Sequence, residues 1–452
     1  MHEVVTIETT GLGDRSYLVH DGEHAAVIDP QRDIDRVLAA AQAAGVRLTH
    51  VLETHIHNDY LTGGLALARA AGADYVVAAA EDVSFDRVPA GDGDRFRAGR
   101  LTLTALATPG HTPGHLSYVL RHDQSGPVAV FTGGSMLFGA VGRTDLIGPD
   151  QTRDLTRAQF RSVRRLAGEL PDPVAVYPTH GFGSFCSATP TSGTSSTIGA
   201  ERVSNIALTS DEESFVRELI AGLVAYPRYY AQMGEANRRG PGAPDLTPPA
   251  AAGPAELQTR IRAGEWVVDL RQRGAFAGRH LAGSISVELG DPFATYLGWT
   301  MAWGTPLTLI GSSAAQVARA QRELARIGIA PAAAAAGSTE HLAAGQLSSY
   351  PVSDFAGLAA RWRTGGKVVL DVRRADEWQA GHLAGAVHIP FWELEGRSGE
   401  VPPGGEVWVH CASGFRASIA SSLLDRAGRR VVHVDDDWEQ AARLGLPVTA
   451  EG

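Results

Sequence analysis

The sequence predicts an α/β protein composed of one large domain and two smaller domains that are related to each other. Over the first half of the chain, short β-rich runs alternate with helical stretches rich in Ala, Leu and Arg. A segment dense in Pro, Gly and Ala follows at 237–255, and this composition is typical of a linker. Beyond it, similar stretches recur at a fixed offset, which indicates two copies of one structural unit.

The first domain, predicted at 1–236, begins with elements that can be recognised one by one. The runs HAAVID and HVLET are short and apolar, as expected of buried strands. Between them, DIDRVLAAAQAAG has the pattern of a helix that ends at Gly45, because glycine readily takes the left-handed conformation at a helix end.

The two later domains are predicted from an internal repeat. The run VVDLRQRGAFAGRHLAGSI begins at Val267 and VLDVRRADEWQAGHLAGAV begins at Val369, an offset of 102 residues. In each copy a second strand follows, LTLIGS or VWVHCAS, and then an Ala-rich helix. We therefore place the copies at 256–350 and 351–452 and expect a small, mostly parallel α/β fold for each.

Composition and charge narrow the classes of function. The chain has 452 residues, enough for about three domains of ordinary size, and a formal net charge of -10. Nucleic acids and anionic membranes bind basic faces, so neither is expected as a partner. Two cysteines are too few for a disulfide scaffold, and the first residues lack the basic and apolar parts of a signal peptide. We therefore expect a soluble protein of the reducing cytoplasm.

Histidines are concentrated in three segments of the first domain. The motif THIHNDY at 54–60 follows an apolar run, TPGHTPGH spans 108–115, and YPTH spans 177–180. A His-x-His pair at the end of a strand can place two imidazoles on one metal ion, and a nearby Asp can serve a second site or hydrogen-bond a ligand. Any one of these histidines alone is better explained as a polar loop residue, but together they indicate a metal centre.

These segments, with FTGGSM and GRTD between them, resemble the metallo-β-lactamase superfamily, and most of all its persulfide dioxygenase branch. The resemblance covers roughly residues 1–230. It implies an αββα sandwich that holds one divalent metal, with Fe(II) favoured by the branch.

Two positions depart from the family pattern. Tyr60 stands where the family has the last histidine of its first motif, and Gly134 stands where it has a metal-binding Asp. Loss of that carboxylate removes negative charge from the site, so Zn(II) suits the remaining ligands at least as well as iron. Asp145, in GRTD, could swing in as a substitute, although the family uses that segment elsewhere.

The residues that remain predict a three-histidine metal site made of His55, His57 and His111. Such a site leaves room for water or substrate at the metal. Asp59 and His180 are predicted to be remnants of a second metal site, or groups that hydrogen-bond the ligands.

A second centre of chemistry is predicted at a cysteine loop. The apolar run VWVH leads into a six-residue loop from Cys411 to Arg416, and a helix follows. This geometry points backbone N–H groups and a helix N-terminus at the sulfur, which favours the thiolate and can hold a persulfide anion. Gly414 lets the loop curl tightly, and Arg416 can clamp an anionic substrate. We predict that Cys411 and Arg416 are catalytic; the alternative is a buried structural cysteine.

The C-x-x-G-x-R spacing and the upstream runs DVR and GHLAGA resemble the rhodanese family, sulfurtransferases that carry sulfur as a cysteine persulfide. The match runs through residues 355–450, with Asp436-Asp437 where Gly-Gly is usual before Trp438. In the first copy Gly311 stands about where the cysteine should be, and no arginine closes the loop. That copy is therefore expected to be catalytically inactive, a spacer or docking surface.

Three further residues are candidate nucleophiles. Ser312 and Ser313 follow the position of the missing cysteine, but nothing nearby would activate them. Cys186 lies six residues after His180. It could sit near the metal pocket, where it would bind substrate or accept sulfur from Cys411, or it could be a small residue packed beneath a Gly-rich loop.

The predicted fold class is therefore α/β: a metallo-β-lactamase αββα sandwich followed by two rhodanese-like α/β domains. The arrangement resembles bacterial fusions of a persulfide dioxygenase with a degenerate and an active rhodanese. It implies oxidation of a low-molecular-weight persulfide to sulfite, coupled to sulfur transfer through a Cys411 persulfide. Small-molecule partners would be a persulfide or thiol such as glutathione, with sulfite or thiosulfate; a homo-oligomer is compatible with these features. Two alternatives are a metal-dependent thioesterase like glyoxalase II and a sulfurtransferase with a non-catalytic lactamase-like domain.

Overall fold

The computed structural model describes residues 2–123, 125–188, 191, 193–363 and 366–450. The chain divides into two compact units, Met1–Asp245 with Ala325–Gly328 and Leu246–Leu324 with Ile329–Gly452. Among the described residues, no helix combines the length and the apolar character needed to cross a membrane.

The first unit contains twelve strands and seven helices in the part of the chain that the structure describes. Its strands are β1 Glu3–Thr9, β2 Asp14–His20, β3 His24–Ile28, β4 Arg47–Leu52, β5 Asp74–Ala78, β6 Val88–Ala90, β7 Arg95–Ala98, β8 Leu101–Ala107, β9 Leu116–His122, β10 Pro127–Gly133, β11 Ala175–Pro178 and β12 Ser196–Thr197. Its helices are α1 Asp35–Ala44, α2 Gly64–Ala71, α3 Thr152–Glu169, α4 Ile198–Ser204, α5 Ile206–Thr209, α6 Glu212–Ala221 and α7 Tyr230–Arg239.

Two six-stranded sheets form the centre of this unit, in the orders β1-β2-β3-β4-β5-β6 and β12-β11-β10-β9-β8-β7. A core between them combines side chains of both sheets, among them Tyr17, Val76, Leu103 and Phe131. A second core joins α1 and α2 to the first sheet, and a third joins α3 and α6 to the second sheet. The four layers confirm the αββα sandwich, in which each sheet buries one face against the other and one against helices.

The local predictions in this unit are confirmed. The runs HAAVID and HVLET contain β3 and the end of β4. The predicted helix is α1, and it ends at Gly45, which has a φ of 68° and donates its N–H to the carbonyl of Gln42. A left-handed residue at this point satisfies a carbonyl that the helix leaves free.

The start of the predicted linker is helical, because α7 continues to Arg239. Asn237, which we placed in the linker, is buried. Its side-chain amide donates to the carbonyls of His57 and Tyr60, at 2.8 Å each, and accepts from the N–H of Thr62. Helix α7 therefore braces the loop that carries the His-x-His pair.

The second unit contains the two repeated copies. Its strands are β13 Ala250–Ala251, β14 Trp266–Asp269, β15 His280–Leu281, β16 Ile285–Ser286, β17 Leu307–Gly311, β18 Ala333–Ala336, β19 Leu347–Ser348, β20 Val352–Ser353, β21 Lys367–Asp371, β22 His382–Leu383, β23 Val387–His388, β24 Glu406–His410, β25 Val431–Val434 and β26 Val448–Thr449. Its helices are α8 Pro254–Arg262, α9 Arg273–Gly278, α10 Phe293–Thr300, α11 Ala314–Arg326, α12 Thr339–Ala343, α13 Phe355–Arg361, α14 Ala375–Ala380, α15 Leu394–Arg397 followed by a 3₁₀ turn Ser398–Glu400, α16 Phe415–Arg426 and α17 Glu439–Arg443.

Both copies have the same sheet topology. The order β13-β18-β17-β14-β16 in the first copy is repeated as β20-β25-β24-β21-β23 in the second. Neighbouring strands within each of these sheets run parallel. The structure thus confirms the repeat and the parallel α/β fold of each copy.

The repeated aspartates prove to be structural. Asp269 forms an ion pair with Arg271, and Asp371 forms the equivalent pair with Arg373, with a shortest N···O distance of 2.6 Å in both. Each pair holds the chain where it leaves the first long strand of its copy. The two aspartates that mark the repeat therefore stabilise the fold of each copy through these ion pairs.

Candidate metal centre and cysteine loop

The histidines of the first unit meet at one end of the sandwich, in the loops that follow β4, β8 and β11. The ring centroid of His55 lies 4.1 Å from that of His57, 4.7 Å from that of His111 and 5.3 Å from that of His180. All four rings are buried. The structure therefore brings together the three predicted ligands and the histidine predicted to be a remnant.

Hydrogen bonds assign the tautomer of His55. The hydroxyl of Thr54 donates to Oδ2 of Asp29 at 2.7 Å, so it must accept from Nδ1 of His55, which lies 2.8 Å away. In the neutral ring, Nε2 then carries a lone pair that faces the cluster.

His180 is oriented in the same way by carboxylates. Its Nδ1 donates to Oδ1 of Asp14 at 2.9 Å and lies 3.2 Å from Oδ2 of Asp59. Its Nε2 lies 3.3 Å from Nε2 of His55, so two lone pairs face each other unless a proton or a metal ion lies between them. Two nitrogen ligands of one tetrahedral metal, each at about 2.05 Å, are separated by about 3.3 Å. The spacing thus fits a shared metal ion.

His57 lies in a strongly negative environment. Its Nε2 is 3.0 Å from the hydroxyl of Tyr60, 3.2 Å from Oε2 of Glu53 and 3.3 Å from Oδ1 of Asp29. Burial lowers the pKa of His57, but these two carboxylates outweigh it and raise the pKa to about 9. Nδ1 is buried and has no hydrogen-bond partner among the described residues. Tyr60, which stands in place of the family's last histidine of this motif, therefore helps to orient a predicted ligand.

His111 offers a second free nitrogen. Its Nδ1 donates to the carbonyl of Arg143 at 2.7 Å, and its buried Nε2 has no partner in the described part of the chain. Burial and the positive charge of His180 lower the pKa of His111 to about 3. A neutral imidazole with an unused lone pair is the form in which histidine binds a metal.

The second histidine of the TPGHTPGH motif has a different role. Nε2 of His115 accepts the N–H of Gly134 at 3.0 Å, and its Nδ1 lies 2.9 Å from the hydroxyl of Thr108. Both nitrogens are used in these contacts, so His115 supports the loop that bears His111.

Gly134 is packed directly against His111. A Cβ added at Gly134 would lie 2.2 Å from Cδ2 of His111, and a Cβ at Gly142 would lie 2.8 Å from its Nδ1. The ring therefore occupies the space that a side chain at position 134 would need. Asp145 does not replace the missing carboxylate, because it forms a two-pronged ion pair with Arg143 at 2.7 and 2.8 Å.

Possible metal ligands fall into four groups of three, in each of which the ligand atoms lie within 4.8 Å of one another. The groups among the described residues are His55, His57 and His180; His111, His180 and Cys186; Asp14, Asp59 and His180; and Asp29, Glu53 and His57. His180 belongs to three of them and so lies at the centre of the cluster. Cys186 is buried beside it, which agrees with the first of the two alternatives predicted for this cysteine.

The cysteine loop has the predicted strand–loop–helix form. Strand β24 ends at His410, Cys411 is buried at the start of the loop, and α16 begins at Phe415. Gly414 has a φ of 84°, and a Cβ there would lie 1.9 Å from Oδ1 of Asp435. This position requires glycine, both for its backbone conformation and for the close approach.

Arg416, which we expected to clamp a substrate, is paired with a carboxylate in this structure. Its two terminal nitrogens donate to the two carboxylate oxygens of Glu377, at 2.5 and 2.7 Å. Farther along, the N–H of Trp438 donates to the carbonyl of Ala412 at 2.8 Å. The loop is thus held at both ends, by Glu377 at Arg416 and by Trp438 at Ala412.

The first copy supplies groups to this loop. Nε of Arg273 donates to Oδ1 of Asp435 at 2.8 Å, and its Nη2 lies 3.5 Å from the carbonyl oxygen of Ser413. The ring of Tyr296 lies 5.4 Å from that of Phe415. The copy that lacks a cysteine therefore contacts the cysteine loop of the other.

Strand pairing confirms where the cysteine is missing. Ile310 pairs with Asp269 in the first copy as His410 pairs with Asp371 in the second, so Gly311 occupies the position of Cys411. The hydroxyl of Ser312 donates to the side-chain oxygen of Gln316 at 3.0 Å, and that of Ser313 accepts the N–H of Gln316. An amide is no base, so these contacts do not activate either serine.

Comparisons with known proteins agree with this architecture. The family model described as metallo-beta-lactamase superfamily matches residues 10–180, and the model described as rhodanese-like domain matches residues 356–443. The mitochondrial persulfide dioxygenase of Homo sapiens is 33% identical over 206 residues, which cover 45% of this chain and 74% of that protein.

Two further similarities concern other members of the superfamily. A hydroxyacylglutathione hydrolase of a Synechococcus strain is 36% identical over 165 residues, 35% of this chain and 60% of that protein. A crystal structure of a metallo-beta-lactamase from Staphylococcus aureus is similar with a TM-score of 0.66 at 27% identity, over 75% of this chain and 99% of that one. The chain therefore belongs to the persulfide dioxygenase family of the metallo-β-lactamase superfamily and carries a rhodanese-like domain after its lactamase-like one.

Proposed function

We propose that the protein acts in sulfane-sulfur metabolism, oxidising a low-molecular-weight persulfide to sulfite at the histidine cluster and transferring sulfur through Cys411. The similarity to a persulfide dioxygenase and the match to the rhodanese-like family support this function. The observation that carries the first half is the convergence of buried imidazoles, in which Nε2 of His55 and Nε2 of His180 lie 3.3 Å apart, the spacing of two ligands of one metal ion.

The side chains present fit a metal cofactor. The buried imidazoles of His55, His57 and His180 form one group of possible ligands, and those of His111 and His180 belong to a second group. His57 and His111 each have a buried nitrogen without a partner among the described residues. We propose His55, His57, His111 and His180 as the residues that hold the metal. When bound, Fe(II) would supply a position for a persulfide sulfur and for O₂, and Zn(II) would supply a Lewis acid.

The surrounding carboxylates orient the imidazoles. Asp14 and Asp59 hold His180, and Asp29 acts on both His57 directly and His55 through Thr54. Their negative charge favours a cation at the centre of the cluster. Burial of the whole cluster keeps water away from a reactive sulfur species.

Sulfur transfer at Cys411 follows from the chemistry of its loop. The thiolate attacks the outer sulfur of a persulfide, the S–S bond breaks, and the donor thiolate leaves and takes a proton from water. Sulfite then attacks the outer sulfur of the Cys411 persulfide, which yields thiosulfate and returns the thiolate. The start of α16 places positive potential beside these anions.

Metal content and oxygen uptake test the proposal. Protein purified without added metal should contain iron in a one-to-one ratio to the chain and consume O₂ with glutathione persulfide. His111→Ala should lose both, whereas Cys411→Ser should keep the oxygen uptake and lose thiosulfate formation. Zinc or no metal, with no uptake, would contradict the dioxygenase function and leave sulfur transfer at Cys411.

A second candidate function is hydrolysis of a thioester. It is favoured by the similarity to a hydroxyacylglutathione hydrolase and by Gly134, which leaves the predicted ligands without the carboxylate of the dioxygenase pattern. Hydrolysis of S-lactoylglutathione by the zinc form, at a rate independent of O₂, would establish this function in place of the first.

A further inference from the structure

Cys186 is held beside the metal centre by backbone hydrogen bonds. The segment around it pairs with the segment before Arg143: the N–H of Arg143 donates to the carbonyl of Cys186 at 2.8 Å, and the N–H of Ala188 donates to the carbonyl of Val141 at 3.1 Å. The sulfur is completely buried. Its position is thus set by the backbone rather than by a flexible loop end.

The same residue also positions His111. The carbonyl of Arg143 accepts Nδ1 of His111 at 2.7 Å, while its N–H binds Cys186. The ligand atoms of Cys186, His111 and His180 lie within 4.8 Å of one another. One peptide segment therefore sets the distance between the thiol and the imidazole.

An independent observation points to a ligand at this place. Nε2 of His111 is buried, bears the lone pair of the neutral ring, and has no partner among the residues that the structure describes. Leaving such a nitrogen unpaired in a buried site costs free energy. A cation shared with the neighbouring sulfur would remove that cost.

The missing carboxylate strengthens the case. A side chain at position 134 would collide with the ring of His111, and Asp145 is engaged by Arg143. Neutral imidazoles place no negative charge on the metal itself, and Asp14 and Asp59 act on the site through His180. A thiolate is an anionic ligand that Zn(II) and Fe(II) both accept.

We propose that the sulfur of Cys186 is a metal ligand, together with His111 and His180, in place of the carboxylate that Gly134 cannot supply. Metal binding breaks the S–H bond and releases its proton to solvent, while sulfur keeps the electron pair and donates it to the metal. The inference rests on the proposed function only in that the histidine cluster holds a metal.

Cobalt(II) provides the test. In full-length Cys411→Ser protein stripped of metal, Cys186 is the remaining cysteine. Titration with Co(II) should produce the near-ultraviolet sulfur-to-cobalt charge-transfer band, which should saturate at one equivalent. The Cys186→Ser change in the same background should abolish the band and weaken Co(II) binding at least ~10-fold.

Each outcome decides the question. Visible cobalt bands without the charge-transfer band, or no cobalt binding, would overturn the proposal. The charge-transfer band is measured in protein that retains Cys186, so the result does not depend on whether the Cys186→Ser variant folds. Oxygen uptake is measured separately on the wild-type chain. A sulfur–cobalt band without O₂ uptake by the iron form would support Cys186 as a metal ligand and contradict the dioxygenase function. O₂ uptake without the band would support the dioxygenase function and contradict the role of Cys186 as a ligand.

Discussion

Gly134 and His111 depend on each other at the metal centre. The ring of His111 lies where a Cβ at Gly134 would be, and its Nδ1 is fixed by the carbonyl of Arg143. In a packed interior such an overlap is relieved only by displacement of one partner. Gly134 therefore provides the space that the ring of His111 occupies, in addition to removing the family's carboxylate ligand.

The change Gly134→Asp, which restores the family pattern, is expected to harm the site. It should displace His111, lower metal content and reduce stability by about 1–3 kcal/mol. Thermal unfolding and metal analysis of the purified variant measure both effects, and Gly134→Ala should show the same steric loss without a new charge. Higher iron content and faster oxygen uptake in the aspartate variant would contradict this explanation.

Thr54 links a carboxylate to a metal-binding imidazole. Its hydroxyl donates to Asp29 and accepts from His55, so it selects the tautomer that leaves Nε2 of His55 free. We expect Thr54→Val to lower metal affinity about 10–100-fold, the usual effect of losing such a hydrogen bond.

Competition with a chelator measures the affinity of the valine variant. Thr54→Ser keeps the hydroxyl and should bind metal like the wild type. Equal affinities for valine and serine variants would show that the tautomer is set elsewhere.

At the scale of elements, the cysteine loop depends on a contact between helices α14 and α16. Glu377 on α14 accepts two hydrogen bonds from Arg416 on α16. Burial would raise the pKa of Glu377, but the hydrogen bonds and charge of Arg416 outweigh it and hold that pKa below its ordinary value. The pair stabilises the second copy, and its contribution depends on pH.

The sign of that dependence follows from the lowered pKa. The stabilisation is fully present above the unfolded pKa of about 4.3 and is lost as pH falls through the lower folded value. Glu377→Gln should therefore cost about 2 kcal/mol in the free energy of unfolding at neutral pH, and the difference from wild type should shrink in acid.

Urea unfolding of the full chain between neutral pH and about pH 3 tests this. Glu439→Gln is the control, since Glu439 is exposed and forms a surface ion pair with Arg443, which contributes little. A stability difference for Glu377→Gln that does not change with pH would exclude the proposed linkage.

At the scale of the whole molecule, the copy without a cysteine is more than a spacer. Arg273, at the start of α9, joins Asp435 and the carbonyl of Ser413 to the first copy. Tyr296 on α10 packs against Phe415, the first residue of α16. A copy that has lost its own nucleophile can thus still shape the loop of the other.

We expect Arg273→Ala to lower kcat/KM for sulfur transfer on the order of tenfold, because the loop around Cys411 loses a positioning contact. The persulfide that forms on Cys411, followed by mass spectrometry, should still appear but more slowly. Arg279→Ala is the matched control, since Arg279 lies in the same copy and is largely exposed in a pair with Glu340. Unchanged transfer in Arg273→Ala would return the first copy to the role of a spacer.

The sequence predicted those features that contiguous residues encode. The repeat and the Cys411 loop follow from strand and helix patterns, from glycines at turns, or from a motif within a few residues, whereas the sandwich was implied by the resemblance of the histidine motifs to a known superfamily. The absence of a cysteine at Gly311 could also be predicted from the sequence, because the repeat aligns Gly311 with Cys411, and strand pairing agrees. These features depend on local backbone preferences and on periodic burial, and both can be seen in a short window.

The chemistry of the metal site was decided by the tertiary structure. His111 and His115 are alike in the sequence, yet one has a free nitrogen and the other has none, because their partners lie far along the chain. The same holds for His180, which owes its orientation to Asp14, for Cys186, which lies beside His111 through Arg143, and for Arg416, which is engaged by Glu377. The sequence by itself determined which side chains are available and on which elements they stand. Only the tertiary structure decided which nitrogen, oxygen or sulfur is left unpaired, because the groups that occupy His111, His180 and Arg416 come from distant parts of the chain.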